Sequence, residues 1–221
     1  MRTTVVTLTY RRPRDLAEAL PQLVAHVEAL PDTELLVVDN DVAPTARDVV
    51  APWIEAHPVR YVHEPRPGIA AARNRGLDEA YLSDLVAFID DDERPRDGWL
   101  AALVDTFDRE RCFGVAGPVV SVFTAQPDAW IVAGRFFERL RHRTGSQLDV
   151  VATNNLLVDA RAARRWGLRF DEAFGLTGGS DTVFALEARR RGARFVWCDE
   201  AVVDDVVPAQ RATRAWVLRR A

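Results

Sequence analysis

Apolar and polar positions alternate in blocks through the first half of the chain. Residues 3–9, 34–39, 59–63 and 85–90 are β-branched or apolar almost without interruption, the pattern of strands buried on both faces. Between and after them, residues 15–30, 45–57, 69–81 and 99–107 repeat apolar positions at helical spacing. This order predicts an α/β fold with a parallel sheet and right-handed crossovers. In the helix at 69–81, Ile69, Ala72, Gly76 and Ala80 fall on one packing face, which leaves Arg73 unencumbered near the N-terminus, where an anion could dock. An ordinary surface arginine is the alternative.

Past about Gly117 the regularity weakens, and 119–123, 150–152, 156–159 and 194–197 read as short strands among loops. Residues 180–191 read as a helix entered through Thr177-Gly178-Gly179 and stopped at Gly192, after three arginines that suit the helix dipole. The chain closes on Trp216-Val217-Leu218-Arg219-Arg220, a helical pattern without a stop signal that reads as truncation of a longer protein.

A length of 221 residues suits one domain that buries roughly 70% of its unfolded surface. At 48% hydrophobic and 28% charged, the composition excludes a disordered or low-complexity chain. The longest apolar runs, 35–38 and 85–89, are far too short to span a bilayer, and residues 1–10 carry no secretory signal. Peripheral membrane association stays open. A net charge of -4 argues against a nucleic-acid partner. All 29 basic residues are arginine, which excludes a lysine Schiff base or a phosphate-loop lysine. Cys112 and Cys198 stand far apart, without metal-site spacing, and fit a reducing cytoplasm.

In parallel sheets ligands bind beyond the carboxyl ends of the strands. Those ends here read Thr9-Tyr10-Arg11, Asp39-Asn40-Asp41, Glu64 to Gly68 and Asp90-Asp91-Asp92-Glu93. Four successive carboxylates call for a counter-cation, and hard oxygen ligands suit magnesium or manganese completed by substrate phosphates. A solvated acidic turn neutralised by Arg94 and Arg96 explains the same residues. Asp39 suits a nucleobase N–H or ribose hydroxyl, or else caps the following turn. Asp181, after Gly178-Gly179-Ser180, offers a general base or a helix cap. The four histidines lack metal-ligand spacing. Trp130 alone among six tryptophans is a candidate sugar-stacking platform.

Taken together, Val5 to Tyr10, Val37-Val38-Asp39-Asn40, Gly68 with Ala72-Arg73-Asn74, Phe88 to Asp92 and Gly178 to Asp181 resemble family 2 glycosyltransferases of the GT-A fold. The resemblance implies a Rossmann-like, mostly parallel central sheet flanked by helices, in a single domain. Residues 1–116 would be the nucleotide-sugar half, and 117–221 a mixed half for the acceptor and base. It further implies a nucleotide-sugar donor, usually UDP-linked, a divalent metal (manganese or magnesium) at the D-x-D segment, and transfer with inversion. Carried over by position, Thr9, Tyr10 and Asp39 line the nucleobase pocket with Arg11 and Gly68 beside them, and Arg73 lies near base or diphosphate. Asp91 reaches the ribose, Asp92 with Asp90 nearby binds metal, and Asp181 is the base.

Two positions depart from the family pattern. Ser180-Asp181 stands where Glu-Asp is usual, and Asp204-Asp205 follows the last strand where a histidine commonly adds a metal contact. Asp204 or Asp205 is therefore a candidate metal contact, against a solvated turn before Pro208. A nucleotidyltransferase and a non-catalytic sugar-nucleotide binder are the other readings. The acceptor (glycan, lipid carrier, protein or small metabolite) and the oligomeric state are not encoded in any motif.

Overall fold

A computed structural model of the chain describes residues 1–174 and 178–220. Thr177, the start of the expected glycine-rich approach, lies outside the described residues. The first four strands are β1 (Thr3–Thr9), β2 (Thr33–Asp39), β3 (Val59–His63) and β4 (Leu85–Asp90). They alternate with α1 (Pro13–Glu28), α2 (Arg47–Ala56) and α3 (Ile69–Glu79) as the pattern predicts. After β4 the chain adds β5 (Glu93–Pro95), α4 (Trp99–Glu110), β6 (Gly114–Ala116), β7 (Val119–Phe123), α5 (Ala129–Ala133) and β8 (Gln147–Leu148). It continues with β9 (Asn155–Asp159), α6 (Ala160–Arg165), α7 (Ser180–Arg190), β10 (Phe195–Trp197), β11 (Val203–Val207) and α8 (Arg214–Arg220).

Among the described residues, eight strands form one sheet in the order β3-β2-β1-β4-β9-β6-β10-β8. Strands β1 to β4 are mutually parallel, β9 is antiparallel to both β4 and β6, and β10 runs parallel to β6. Because β9 lies between β4 and β6, the two halves of the chain share this sheet rather than folding apart. A smaller sheet, β5-β11-β7, sits beside it. Residues 150–152, expected as a strand, are irregular; β8 takes the sheet edge just before them, antiparallel to β10. Strands β5, β6 and β11 lack a hydrophobic run long enough to read in sequence, and pairing partners define them.

Alternate strand residues divide the core into two layers. Val5, Leu35, Val37, Ala87 and Ile89 face α1, α2 and α4, whereas Val6, Leu36, Val38 and Phe88 face α3, α6 and α7. At roughly 25 cal/mol per Å² of apolar surface, this two-sided burial is the main favourable term. Helix α3 approaches β1 through Gly76, where an added Cβ would meet Val6 Cγ1 at 2.7 Å. Ile69 does not join that packing face; it is 37% exposed and lines a cavity.

Candidate donor site at the strand exits

Register gathers the polar strand ends at one edge. Thr9 pairs with Asp39, Asp39 with His63, and Leu8 with Asp90. A cavity of about 390 Å³ opens there, the size of a small-molecule site. Thr9, Tyr10, Arg12, Asn40, Gly68, Ile69, Asp90 and Asp91 are among its walls. Gly68, at φ 112°, turns the chain into α3 where an L side chain would be strained.

The carboxylates differ in their surroundings. Burial, with the charge of Asp92, pushes Asp90 up to about 6, while Arg73, Arg12 and Arg139 pull it down. Burial likewise pushes Asp91 up to about 7, offset in part by Thr9 and Arg12. Thr9 lies close enough to favour the Asp91 carboxylate, yet Thr9 Oγ1 and Asp91 Oδ2 are buried without completing a hydrogen bond of good geometry. The two groups still answer each other at the cavity wall rather than being stranded. Glu93 turns inward, accepting from Asn154 Nδ2 at 2.7 Å and from the Asp90 N–H at 3.3 Å. Burial and then Asp90 hold its pKa well above the ordinary value.

The counter-cations are not those expected from the sequence. Arg12 Nη1 bridges Asp91 Oδ1 at 3.3 Å and Asp92 Oδ2 at 2.8 Å, and Arg211 approaches Asp92 at 3.6 Å. Arg94 donates to the Asp91 and Glu93 carbonyls but pairs with the Glu18 carboxylate, and Arg96 pairs with Asp204. The only sequence signal for Arg12 is its place directly after the β1 exit; Arg211 has none. Asn40 was also missed. It lines the cavity while its amide donates to Glu64 O and Arg66 O, tying the β2 and β3 exits together.

Four expected positions have surroundings that the sequence did not show. Asp39 is fully buried and accepts from the Asp41 N–H, the Ala46 N–H and the Tyr61 hydroxyl; it holds a turn, and Asn40 faces the cavity instead. Arg11 turns outward, 63% exposed, to Asp41. Arg73 is not unencumbered: it is buried, its Nη1 donates to Ser180 Oγ at 2.9 Å, and its guanidinium lies over Phe170. Asp204 is clamped by Arg96 through Nε and Nη2. Asp205, on the opposite face of β11, pairs with Arg139, which acts on Asp90.

Arg73 also brings Asp181 into this neighbourhood. Desolvation lowers its pKa, and both Asp90 and Asp181 raise it, so the N-terminus of α7 lies within electrostatic reach of the β4 exit. Asp181 is not the cap residue, which is Gly179 at φ 91°. Its Oδ1 accepts from the Thr182 N–H at 2.9 Å, and Oδ2 has no hydrogen-bond partner among the described residues. Among those residues no group of three histidine, cysteine or acidic side chains forms a metal cage. The donor set instead fits a hard cation that takes one or two carboxylates and completes its shell from a ligand's phosphates.

Parallel strands that end on a carboxylate-lined cavity, joined to a mixed second half, form an α/β fold of the GT-A type. The structure resembles S. aureus TarS 1-349 in complex with UDP-GlcNAc, with a TM-score of 0.72 at 17% identity over 94% of this chain and 59% of that one. It also resembles GalNAc-T7 with UDP, GalNAc and Mn2+, with a TM-score of 0.70 at 13% identity over 94% of this chain and 44% of that one. The model of glycosyl transferase family 2 matches residues 4–166. The succinoglycan biosynthesis protein ExoM of Rhizobium meliloti (strain 1021) is 35% identical over 215 residues, 96% of this chain and 69% of ExoM. A pre-mycofactocin glycosyltransferase of Mycobacterium tuberculosis is 36% identical over 111 residues, 49% of this chain and 22% of that protein. The chain belongs to glycosyl transferase family 2 and is a glycosyltransferase. That membership sets aside the nucleotidyltransferase reading.

Proposed function

We propose that the chain transfers a sugar from a UDP-sugar to an acceptor hydroxyl with inversion, its first 116 residues holding the donor and the remainder presenting acceptor and base. The observation that carries this is the cavity at the β1 and β4 exits, where Thr9, Tyr10, Gly68, Asp90 and Asp91 are gathered in its walls. A nucleoside diphosphate supplies hydroxyls and phosphate oxygens of the right kind. The UDP complexes of TarS and GalNAc-T7, which share the fold, support that donor class.

In this reading Tyr10, Asn40 and Gly68 receive the nucleoside, and Asp91 with Thr9 takes the ribose. Asp92, with Asp90 beside it, holds a divalent cation (manganese or magnesium), which when bound neutralises charge on the departing diphosphate. Arg12 and Arg211, already at Asp92, add positive charge at the same place. Asp181 takes the proton as the acceptor oxygen bonds to the anomeric carbon from the face opposite the diphosphate. The anomeric carbon–oxygen bond breaks, and its electron pair leaves with the UDP. Arg73 is coupled electrostatically to both Asp90 and Asp181. No helix of the described residues is long and apolar enough to cross a membrane; a cytoplasmic place of action is part of the proposal.

Thermal unfolding with UDP, GDP, dTDP and CMP, each with manganese or EDTA, tests the donor. UDP with manganese at about 100 times its Kd is expected to add about 2.7 kcal/mol, roughly 5 to 10 °C for a chain of this size. No shift with any nucleotide rejects the reading. A shift without transfer or hydrolysis identifies a non-catalytic binder.

A further inference from the structure

A basic and apolar face lies beside the acidic exit, and of its residues only Arg211 is assigned a part in the transfer chemistry. Residues 129–148 carry four arginines against one glutamate, and residues 206–221 carry four arginines and no acid, in a chain whose net charge is -4. The structure joins the two segments. Phe137 stacks on Trp216 at 5.6 Å, Arg214 lies over Trp130 at 5.8 Å, and Trp130 packs against Phe136 at 4.5 Å. Arg211 then connects this face to Asp92.

Large apolar side chains stand outward here, with Leu140 82% and Leu218 68% exposed, and Val132 and Phe136 about half exposed. Helix α8 buries Val217 while presenting Leu218 between Arg214 and Arg219. Several arginines are tied to neighbours, Arg135 to Glu138, Arg139 to Asp205, Arg141 to Asp199 and Arg214 to Asp128. Arg143 and Arg219 have no carboxylate partner among the described residues. Even with every paired acid counted, the face stays positive.

Aromatic and leucine side chains interleaved with arginines, on a molecule that is otherwise acidic, match one kind of partner in both terms. A bilayer with anionic headgroups receives the apolar tips below its headgroup level and the guanidinium groups at its phosphates. A neutral apolar partner leaves the charge unanswered, and a soluble anion leaves the leucines wet. We propose that this face, residues 129–148 with α8, seats the protein on an anionic membrane surface. The edge carrying Asp92 and Arg211 is then held beside the bilayer.

Co-sedimentation of the full chain with vesicles of about one-third phosphatidylglycerol in phosphatidylcholine, against phosphatidylcholine alone, tests this. Binding to the anionic vesicles alone is expected, lost between about 0.1 and 0.5 M salt as the Debye length shortens. Arg143→Glu with Arg219→Glu should lower partitioning on the order of tenfold. Leu140→Ser with Leu218→Ser should also lower it, and both variants should keep the wild-type melting transition. None of these positions lines the cavity at the strand exits, so the thermal response to UDP with manganese is unchanged whether or not that donor assignment holds. Equal binding to both vesicle types, no binding to either, or variants that fold and still bind fully would overturn the proposal. So would a dimer that the leucine substitutions dissolve, since a second copy would then cover the face.

Discussion

Arg73 Nη1 donates to Ser180 Oγ at 2.9 Å, with both side chains buried. The bond joins the second turn of α3 to the first residue of α7. The arginine meets a neutral hydroxyl there. Its positive charge is therefore not cancelled by a carboxylate in contact, and it acts on Asp90 and Asp181.

Removing that hydroxyl strands a buried guanidinium donor. Ser180→Ala is expected to cost about 1–3 kcal/mol, read as a loss of several degrees in Tm. Transfer should fall through kcat, because Asp181 loses its alignment, while UDP binding measured by calorimetry stays close to wild type. An unchanged Tm and kcat would mean that the bond positions nothing.

Asp181→Asn preserves shape and removes the proposed base. Transfer is expected to fall by about 10² to 10⁴, with nearly unaltered UDP affinity. Full transfer by this variant with its natural acceptor would assign Asp181 to the helix terminus alone.

The two faces of β11 make Asp204 and Asp205 separable. Asp204→Ala should leave the manganese dependence of UDP binding unchanged, since its carboxylate is held by Arg96. Asp92→Asn should weaken it on the order of tenfold or more, a change of about 1.4 kcal/mol per decade. Manganese titrations in the presence of UDP discriminate among them, and a clear shift for Asp204→Ala would contradict the orientation described for β11.

Raised carboxylate pKa values carry a sign. Asp90 and Asp91 move from 3.8 up to about 6 and about 7, mainly by burial, and Glu93 moves the same way. Across about pH 4 to 7 the folded chain therefore binds more protons than the unfolded one, and stability declines as pH rises through that window. Chemical denaturation of the ligand-free protein at several pH values should show this fall. Asp91→Asn should reduce it and gain about 1–2 kcal/mol at pH 8, at the expense of UDP affinity. A profile that is flat for both proteins would mean that these groups are already neutralised.

Much of the fold was legible because the strands are buried on both faces. Continuous runs such as Val5-Val6 and Leu35 to Val38 tolerate no other placement, and the helices between them compel parallel pairing. The polar exits were legible for the same reason, since each polar residue follows directly on a run that must end. Strands β5, β6 and β11 were not, because three to five residues carry too little periodicity without their partners.

Within the site, the sequence by itself determined that Thr9, Tyr10, Gly68, Asp90 and Asp91 meet at one edge, because parallel register follows from strand length and order. Only the tertiary structure decided which side chains answer them. Arg12 lies 79 residues from Asp91, and Arg73 lies 107 residues from Ser180; no local spacing encodes such pairs. Asp39 shows the same limit in reverse, for its position at a strand exit was clear but the Ala46 N–H and Tyr61 hydroxyl that occupy it were not. Backbone periodicity sets where a residue stands. The partner of a buried charge is chosen by whichever distant group can satisfy it at contact distance, since leaving it unpaired in a low-dielectric interior costs more than the chain can supply.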